Sequence, residues 1–204
     1  MNTFINILKN YDILLASQSQ RRINLLKSLN LNFKAIPANI NENIELKLSP
    51  AKYAQTLALK KANKVKEEIL KNTETPTLII GADTIVVLNN KTINKPKNED
   101  EAFQMLIKLS NTYHFVYTGI ALINTKNKKI ITDYSRTCVY FRKLEENEIL
   151  EYISGGKTLD KAGSYGIQDD YGSLFVKKIE GCYNNVIGLP IELLRRKLIE
   201  ITKI

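Results

Sequence analysis

Hydrophobic and polar positions follow two different periods along the chain, and together they predict a mixed α/β fold. Runs of apolar and β-branched residues predict strands over 12–17, 33–38, 77–88, 113–124, 130–141, 174–179 and 183–187. Apolar stripes at helical spacing predict helices over 21–30, 50–70, 98–109, 145–153 and from Pro190 onward. Two polar turns, Asn89-Asn90 and 125–129, each join two strands and predict antiparallel hairpins, so we expect a mixed rather than a purely parallel sheet.

Local signals predict where several of these elements begin or change. Ser19 and Ser49-Pro50 are expected to start helices, and Asn98 with Glu101 three residues later is typical of a capping box. Gly81 and the charged Asp83 interrupt the run 77–88, which predicts a strand that bends or pauses at a polar group.

Composition indicates one ordinary globular domain, residues 1–204, with room for two joined lobes. The chain is 44% apolar and 25% charged, which excludes disordered and fibrous classes. A single histidine, His114, and two isolated cysteines, Cys138 and Cys182, exclude a zinc site and a disulfide scaffold. The absence of a long apolar run predicts a cytoplasmic protein with no membrane partner.

The charge balance is basic, with 30 Lys+Arg against 21 Asp+Glu and a net charge of +9. Such a charge suits nucleic acid, anionic lipid or a phosphorylated small molecule. Because the lysines are dispersed rather than clustered among aromatic residues, no nucleic-acid partner is expected.

Two segments could carry chemistry on local grounds. Ser17, Ser19, Arg21 and Arg22 bring hydroxyls and guanidinium groups to a helix start after a strand, which favours an anion cradle and an ordinary capped helix about equally. Asp83 lies between apolar residues, where an unpaired carboxylate is costly, so we favour a functional role over capping of a nearby helix.

Other candidates are weaker when taken singly. Glu42 could add a second carboxylate for a divalent ion, although a surface loop acid is the simpler interpretation. Lys61 and Lys95 could bind phosphate or could be solvated lysines. The segment 159–168 is a Gly-rich connector or a loop that approaches a ligand, and its Gln168 offers the donor and acceptor needed to read a nucleobase edge.

Taken together, the motifs resemble the Maf family of nucleoside triphosphate pyrophosphatases. The motifs that carry this resemblance are L-A-S-x-S-x-R-R at 15–22, N-x-N-E around Glu42, G-A-D-T at 81–84, K-P at 95–96, T-G-x-A-L at 118–122, L-D-K-A-G-x-Y-G-I-Q at 159–168 and V-x-G-L-P at 186–190. They occur in order and at family spacing from about residue 13 to the C-terminal helix, and their agreement is more specific than any one of them.

The resemblance implies a two-lobed α/β fold related to the inosine-triphosphate pyrophosphatases, with a central nucleotide cleft, a divalent cation (Mg²⁺ or Mn²⁺) and a homodimer. It implies roles for the following residues: Asp83, Glu42 and Lys95 in catalysis, with Asp83 as general base; Glu42 and Asp83 at the metal; and Ser17, Ser19, Arg21, Arg22, Lys61, Thr84, Asp160, Lys161 and Gln168 at the substrate. Thr84 and Gln168 match the subgroup that acts on dTTP and UTP.

The chain departs from the family pattern at three places. Gln20 replaces a proline, which could loosen the helix start; Asn94 replaces a common glycine; and the stretch 169–172 is acidic and one residue longer than usual, which could shift base selectivity. The implied reaction is hydrolysis of a nucleoside triphosphate, canonical or with a modified pyrimidine, to the monophosphate and pyrophosphate. The alternative is a nucleotide-binding regulator of cell division that has no turnover.

Overall fold

A computed structural model describes residues 2–42, 48–69, 75–156, 158–169 and 171–203. The helices are α1 (Asn2–Leu8), α2 (Gln20–Lys27), α3 (Pro50–Ile69), α4 (Glu99–Leu109), α5 (Glu146–Ser154), α6 (Tyr183–Ile187) and α7 (Ile191–Thr202). The strands are β1 (Asp12–Leu15), β2 (Lys34–Ala35), β3 (Thr77–Leu88), β4 (Lys91–Ile93), β5 (Tyr113–Asn124), β6 (Ile130–Phe141) and β7 (Val176–Glu180). Short 3₁₀ turns cover Ala162–Ser164 and Gly172–Phe175.

The strands form one mixed sheet in the order β2-β1-β3-β5-β6-β7, with β4 paired to β3. β1 runs parallel to both β2 and β3, whereas β3–β4 and β6–β7 are antiparallel. The predicted mixed sheet and its hairpins are therefore confirmed, including the turn at Asn89 and Asn90, which both have positive φ as a tight hairpin of this kind requires.

The chain divides into two compact units. The first comprises Met1–Asp83, Thr118–Ser135 and Gly188–Ile204, and the second comprises Thr84–Tyr117 and Arg136–Ile187. In the first unit both sheet faces are covered: one packs against α1, α2 and α7, and the other packs against α3. In the second unit α4 contacts α5 and the 3₁₀ turn at 162–164.

Helix α3 lies unusually close to the sheet. A Cβ atom on Gly81 would stand 2.1 Å from the Ala58 carbonyl oxygen, and one on Gly119 would stand 2.3 Å from the Ala54 carbonyl carbon. Both strands therefore need glycine where the helix crosses them. The predicted pause at Asp83 is wrong, because β3 is continuous and Gly81 serves helix packing rather than a break in the strand.

Side-chain capping hydrogen bonds confirm two of the three predicted helix starts. The Lys52 N–H donates to Ser49 Oγ (3.4 Å), and the Glu101 N–H donates to Asn98 Oδ1 (2.8 Å). Ser19 does occupy the position before α2, but among the described residues its side chain accepts no capping hydrogen bond. Its own N–H instead donates to Ser17 Oγ (3.2 Å).

The C-terminal third contains the clearest errors of the sequence prediction. Residues 183–187 form helix α6, not a strand, and residues 172–175 form a 3₁₀ turn before β7 begins at Val176. Five residues are too few for periodicity to separate the two states. Tertiary contacts favour the helix over the strand: the buried Asn185 amide donates to the Val116 carbonyl and to Thr137 Oγ1, both at 3.0 Å.

Other differences concern length. The predicted strand 33–38 pairs only over β2, and the end of the third helix predicted at Leu70 lies outside the described residues. Within the described part of the chain, no helix combines the length and apolar character needed to cross a bilayer.

Candidate active site

The centre of the candidate site is Asp83, a carboxylate on the buried strand β3. Only 6% of the residue is exposed. Lys61 reaches it from α3, with Nζ 2.6 Å from Asp83 Oδ1, and the same Nζ lies 2.7 Å from Glu42 Oε1. The close packing of α3 on β3 brings Lys61 to Asp83, so one ammonium group joins two carboxylates that are 41 positions apart in the sequence.

The electrostatic balance around Asp83 has two opposing parts. Burial raises the pKa of Asp83, while the charges of Lys61 and Arg22 and the hydrogen bond from Lys61 lower it; the nearby Glu42 raises it slightly. The net direction is upward. Asp83 is consequently a stronger proton acceptor than a surface aspartate, and the two cations still favour its ionised form.

Arg22 from α2 forms the second part of the site. Its Nε donates to the Gly188 carbonyl (2.9 Å) and its Nη1 to Ser17 Oγ (3.4 Å). Burial lowers the pKa of Arg22, and the Asp83 charge opposes that shift. These two hydrogen bonds therefore fix Arg22 as a partly buried cation. The alternative interpretation, a solvated arginine on an ordinary capped helix, is wrong for this residue.

The start of α2 thus combines hydroxyl, amide and guanidinium groups. Ser17 is buried, Ser19 and Arg21 are half-buried, and the Arg21 charge is close enough to lower the pKa of Arg22. Two neighbouring arginines repel each other unless an anion lies between or beside them. This arrangement favours the anion-cradle interpretation.

Sequence reasoning missed Tyr53, which lies on α3 two turns before Lys61. Its hydroxyl donates to the Glu42 backbone carbonyl (3.1 Å). Burial raises the pKa of Tyr53, and the charges of Asp83 and Glu42 add to that shift. The only available signal was its i, i+8 spacing from Lys61, which the apolar stripe of the helix obscured.

The remaining predicted residues belong to the second unit. Lys161 is 7% exposed and forms ion pairs with Asp160 (2.8 Å) and Asp169 (3.3 Å). Lys95 and Gln168 have exposed side chains. Within this group the structure joins Asp160 to Lys161, and it leaves Lys95 and Gln168 accessible to a ligand.

Thr84 follows Asp83 directly on β3 and is half-buried. Side chains of consecutive strand residues point to opposite faces of a sheet. We therefore expect the Thr84 side chain to lie on the other face of the sheet from Asp83, and its role at the substrate stays a prediction.

The carboxylate pair fits a hard divalent cation. Glu42 and Asp83 already direct one oxygen each at a single cation, the Lys61 ammonium. No group of three or more His, Cys, Asp or Glu side chains suited to a metal occurs in the part of the chain that the structure describes. Mg²⁺ commonly uses one or two carboxylates and completes its shell with water and substrate phosphate, so two are enough.

We expect the Arg22→Ala variant to weaken nucleotide binding more than turnover. Arg22 is a fixed cation beside Ser17, and its removal leaves the Gly188 carbonyl without this donor and takes away a positive charge that we expect to attract phosphate. The KM for the best nucleotide should rise about tenfold or more, with a smaller change in kcat. Steady-state kinetics with Lys9→Ala, an exposed cation of the same unit, as control would check this. An unchanged KM would contradict the phosphate role.

The chain is similar in sequence to proteins of a known family. The family model for Maf-like protein matches residues 12–201. The chain is 49% identical over 180 residues to a dTTP/UTP pyrophosphatase of Thermosipho melanesiensis, covering 88% of this chain and 92% of the relative. It is 44% identical over 179 residues to a dTTP/UTP pyrophosphatase of Caldicellulosiruptor saccharolyticus, covering 88% and 89% of the two chains.

A solved structure, the Ham1 protein of Staphylococcus aureus, resembles this chain with a TM-score of 0.50 and 15% identity, covering 93% of this chain and 98% of the other. At that identity the similarity concerns the fold alone. Together with the mixed sheet, it confirms the predicted α/β fold class.

Proposed function

The chain belongs to the Maf family, and on that premise we propose that it hydrolyses dTTP and UTP to the monophosphate and pyrophosphate with the help of a divalent cation. Its general class is a nucleoside triphosphate pyrophosphatase, the activity for which its relatives are named. A single observation carries the proposal: the buried carboxylate of Asp83 pairs with Lys61, which also pairs with Glu42, and the charge of Arg22 lowers the pKa of Asp83 against the effect of burial.

That observation favours catalysis over a purely binding role. A protein that only senses a nucleotide can bind its phosphates with cationic and hydroxyl groups such as Arg22 and Ser17, whereas a buried carboxylate with a raised pKa adds a proton acceptor that binding does not need. Burying Asp83 also costs free energy, which its ion pair offsets only in part. Retention of such a group is expected where it moves a proton, so we do not favour the regulator of cell division without turnover.

In the proposed reaction a water oxygen attacks the α-phosphorus and the bond from that phosphorus to the bridging oxygen breaks. Asp83 accepts the proton of the attacking water, and the leaving pyrophosphate keeps the electron pair of the broken bond. Arg22 and Ser17 bind phosphate oxygens and stabilise the charge that develops on them. Lys61 holds both carboxylates in position.

Glu42 and Asp83 would hold the divalent cation, Mg²⁺ or Mn²⁺, which supplies charge neutralisation and lowers the pKa of coordinated water. The proposal also includes the features that the family resemblance implies: a cytoplasmic homodimer, with Lys95, Lys161 and Asp160 near the triphosphate and Gln168 near the base.

We expect kcat/KM to fall on the acid side of its pH profile, the acid limb, at a higher pH than the ordinary pKa of an aspartate. Asp83 must be deprotonated to act, and burial raises its pKa in the protein without the cation, the state that kcat/KM reports at low cation concentration, so activity falls earlier as the pH decreases. Because Glu42 contributes to the upward shift, Glu42→Gln should move the limb to lower pH, whatever its effect on the plateau. Substrate ionisation is common to both proteins and cancels in the comparison. A limb that stays in place or moves to higher pH would contradict this role of Asp83.

A panel of nucleotides tests the proposed activity. With Mg²⁺ or Mn²⁺, dTTP and UTP should give kcat/KM at least about tenfold above those of CTP and the purine triphosphates. Removal of the cation with a chelator should abolish pyrophosphate release. Tight binding without turnover would support the regulator instead, and preference for a purine would overturn the dTTP/UTP assignment.

A further inference from the structure

Gln168 lies in a four-residue turn that is unusually tightly packed. The Asp169 N–H donates to the Gly166 carbonyl (3.0 Å), which closes the turn, and Gln168 occupies its third position. A Cβ atom on Gly166 would stand 2.5 Å from Asp169 Oδ2, and one on Gly172 would stand 2.3 Å from the Gly166 carbonyl oxygen. Gly172, which follows the turn, therefore accepts only glycine, because its neighbour is backbone, whereas the neighbour of Gly166 is the Asp169 carboxylate, which folds back over the start of the turn.

Both ends of this turn are attached to one hydroxyl group, that of Tyr152 on α5. The buried Gly166 N–H donates to Tyr152 Oη (3.1 Å), and Tyr152 Oη donates to Asp169 Oδ2 (2.9 Å). Tyr152 is 5% exposed, and its ring packs edge-on against Phe175, with ring centroids 5.1 Å apart. Burial and the Asp169 charge raise the pKa of Tyr152, so the hydroxyl remains a donor throughout the physiological range.

The same carboxylate oxygen also holds Lys161. Lys161 Nζ lies 3.3 Å from Asp169 Oδ2 and 2.8 Å from Asp160 Oδ1. The Asp160 side chain is 67% exposed, whereas that of Asp169 is 20% exposed. Water and ligand anions compete more easily with the exposed Lys161–Asp160 pair than with the less exposed Lys161–Asp169 pair. Asp169 is therefore the partner that keeps the Lys161 ammonium group in place.

We propose that Tyr152 is a positioning residue for base specificity, and that its hydroxyl fixes the turn from which Gln168 meets the pyrimidine. This inference rests on the proposed function, in which Gln168 recognises the base. A side chain that reads hydrogen bonds discriminates only when its backbone is held in place, because a mobile turn can adapt to several bases. Asp169, in the stretch where the chain departs from the family pattern, completes this anchor.

The decisive variant is Tyr152→Phe, which keeps the ring against Phe175 and removes one oxygen. The buried Gly166 N–H then loses its acceptor, a loss that favours opening of the turn. We expect the ratio of kcat/KM for dTTP to that for CTP to fall about tenfold, mainly through KM for dTTP, with kcat changed less than about threefold. Hydrogen exchange should accelerate at the amides of Gly166 and Asp169.

Tyr171→Phe is a matched control, since it removes an exposed hydroxyl that donates to Glu151 Oε1 (2.6 Å) near the same loop. It should leave both the ratio and the exchange rates unchanged. Asp169→Asn keeps an oxygen that accepts from Tyr152 and should retain more of the base discrimination than Asp169→Ala, while both variants lose the charge that pairs with Lys161 and share any effect common to all nucleotides. Thermal unfolding of each variant shows whether it is folded.

The outcomes separate the two claims. A wild-type enzyme that does not prefer dTTP and UTP overturns the proposed function and the inference with it. A wild-type enzyme that shows the preference, with Tyr152→Phe retaining both the ratio and the slow exchange, overturns the inference alone. Equal losses in Asp169→Asn and Asp169→Ala would also contradict the role assigned to the hydrogen bond.

Discussion

Replacing Asp83 with asparagine should lower kcat for dTTP by at least about 100-fold while the protein remains folded. The amide has nearly the same shape as the carboxylate but cannot accept a proton from water. It also removes one of the two negative charges directed at the Lys61 ammonium, although Glu42 remains 2.7 Å from that group. The variant also lacks one of the two carboxylates proposed to hold the divalent cation, so turnover is measured at saturating cation, where the KM for dTTP should change much less than kcat.

Asp12→Asn provides the matched control. Asp12 is an exposed carboxylate at the start of β1, in the same unit as Asp83, and its removal changes the net charge by the same amount. Circular dichroism and thermal unfolding would show that both variants are folded. Parental turnover by Asp83→Asn at saturating dTTP would show that Asp83 is not the proton acceptor.

Replacing Gln168 with glutamate should lower kcat/KM for dTTP and UTP by about 100-fold, with little change in the requirement for the divalent cation. A uracil or thymine edge presents an acceptor, a donor and an acceptor, and an amide can pair with two neighbouring atoms of it. The carboxylate loses both donors and places a negative charge opposite a carbonyl oxygen, which leaves a polar group of the base without its partner.

Gln104→Glu is the control for the charge change, because Gln104 is also exposed and belongs to the same unit as Gln168. Steady-state kinetics with dTTP, UTP and CTP would compare the two variants. If Gln168→Glu keeps the preference of the parent protein, the longer stretch 169–172 has moved Gln168 away from the base and the subgroup assignment is wrong.

The local parts of the fold could be predicted because their causes lie within a few residues. The caps at Ser49 and Asn98 and the hairpin at Asn89-Asn90 depend on side chains close to the backbone groups they satisfy. Two of the three departures from the family pattern are accommodated without the residue that the family has there. Gln20 starts α2, and its Nε2 donates to Asn24 Oδ1 (2.8 Å). The Asn94 carbonyl accepts from the Gly163 N–H (3.3 Å), a backbone contact that does not depend on the Asn94 side chain.

The candidate site could be predicted only in part, because its contacts join distant positions. A charged residue within an apolar strand identified Asp83, and the helix start identified Ser17 and Arg22. Periodicity along α3 gave no reason to prefer Lys61 over its neighbouring lysines. The ion pair of Lys61 with Asp83 forms because α3 crosses the sheet at Gly81, and only the packed structure shows that crossing. The error at 183–187 has the same origin, since the Asn185 hydrogen bonds that favour α6 reach back to Val116.

The products formed from dTTP in oxygen-labelled water distinguish the proposed reaction from its alternatives. Hydrolysis at the α-phosphorus, with Asp83 as proton acceptor, predicts dTMP and pyrophosphate in equal amounts by phosphorus NMR, with the heavy oxygen in dTMP and none in pyrophosphate. Release of dTDP and orthophosphate, label in the pyrophosphate, or no hydrolysis of dTTP would contradict the account.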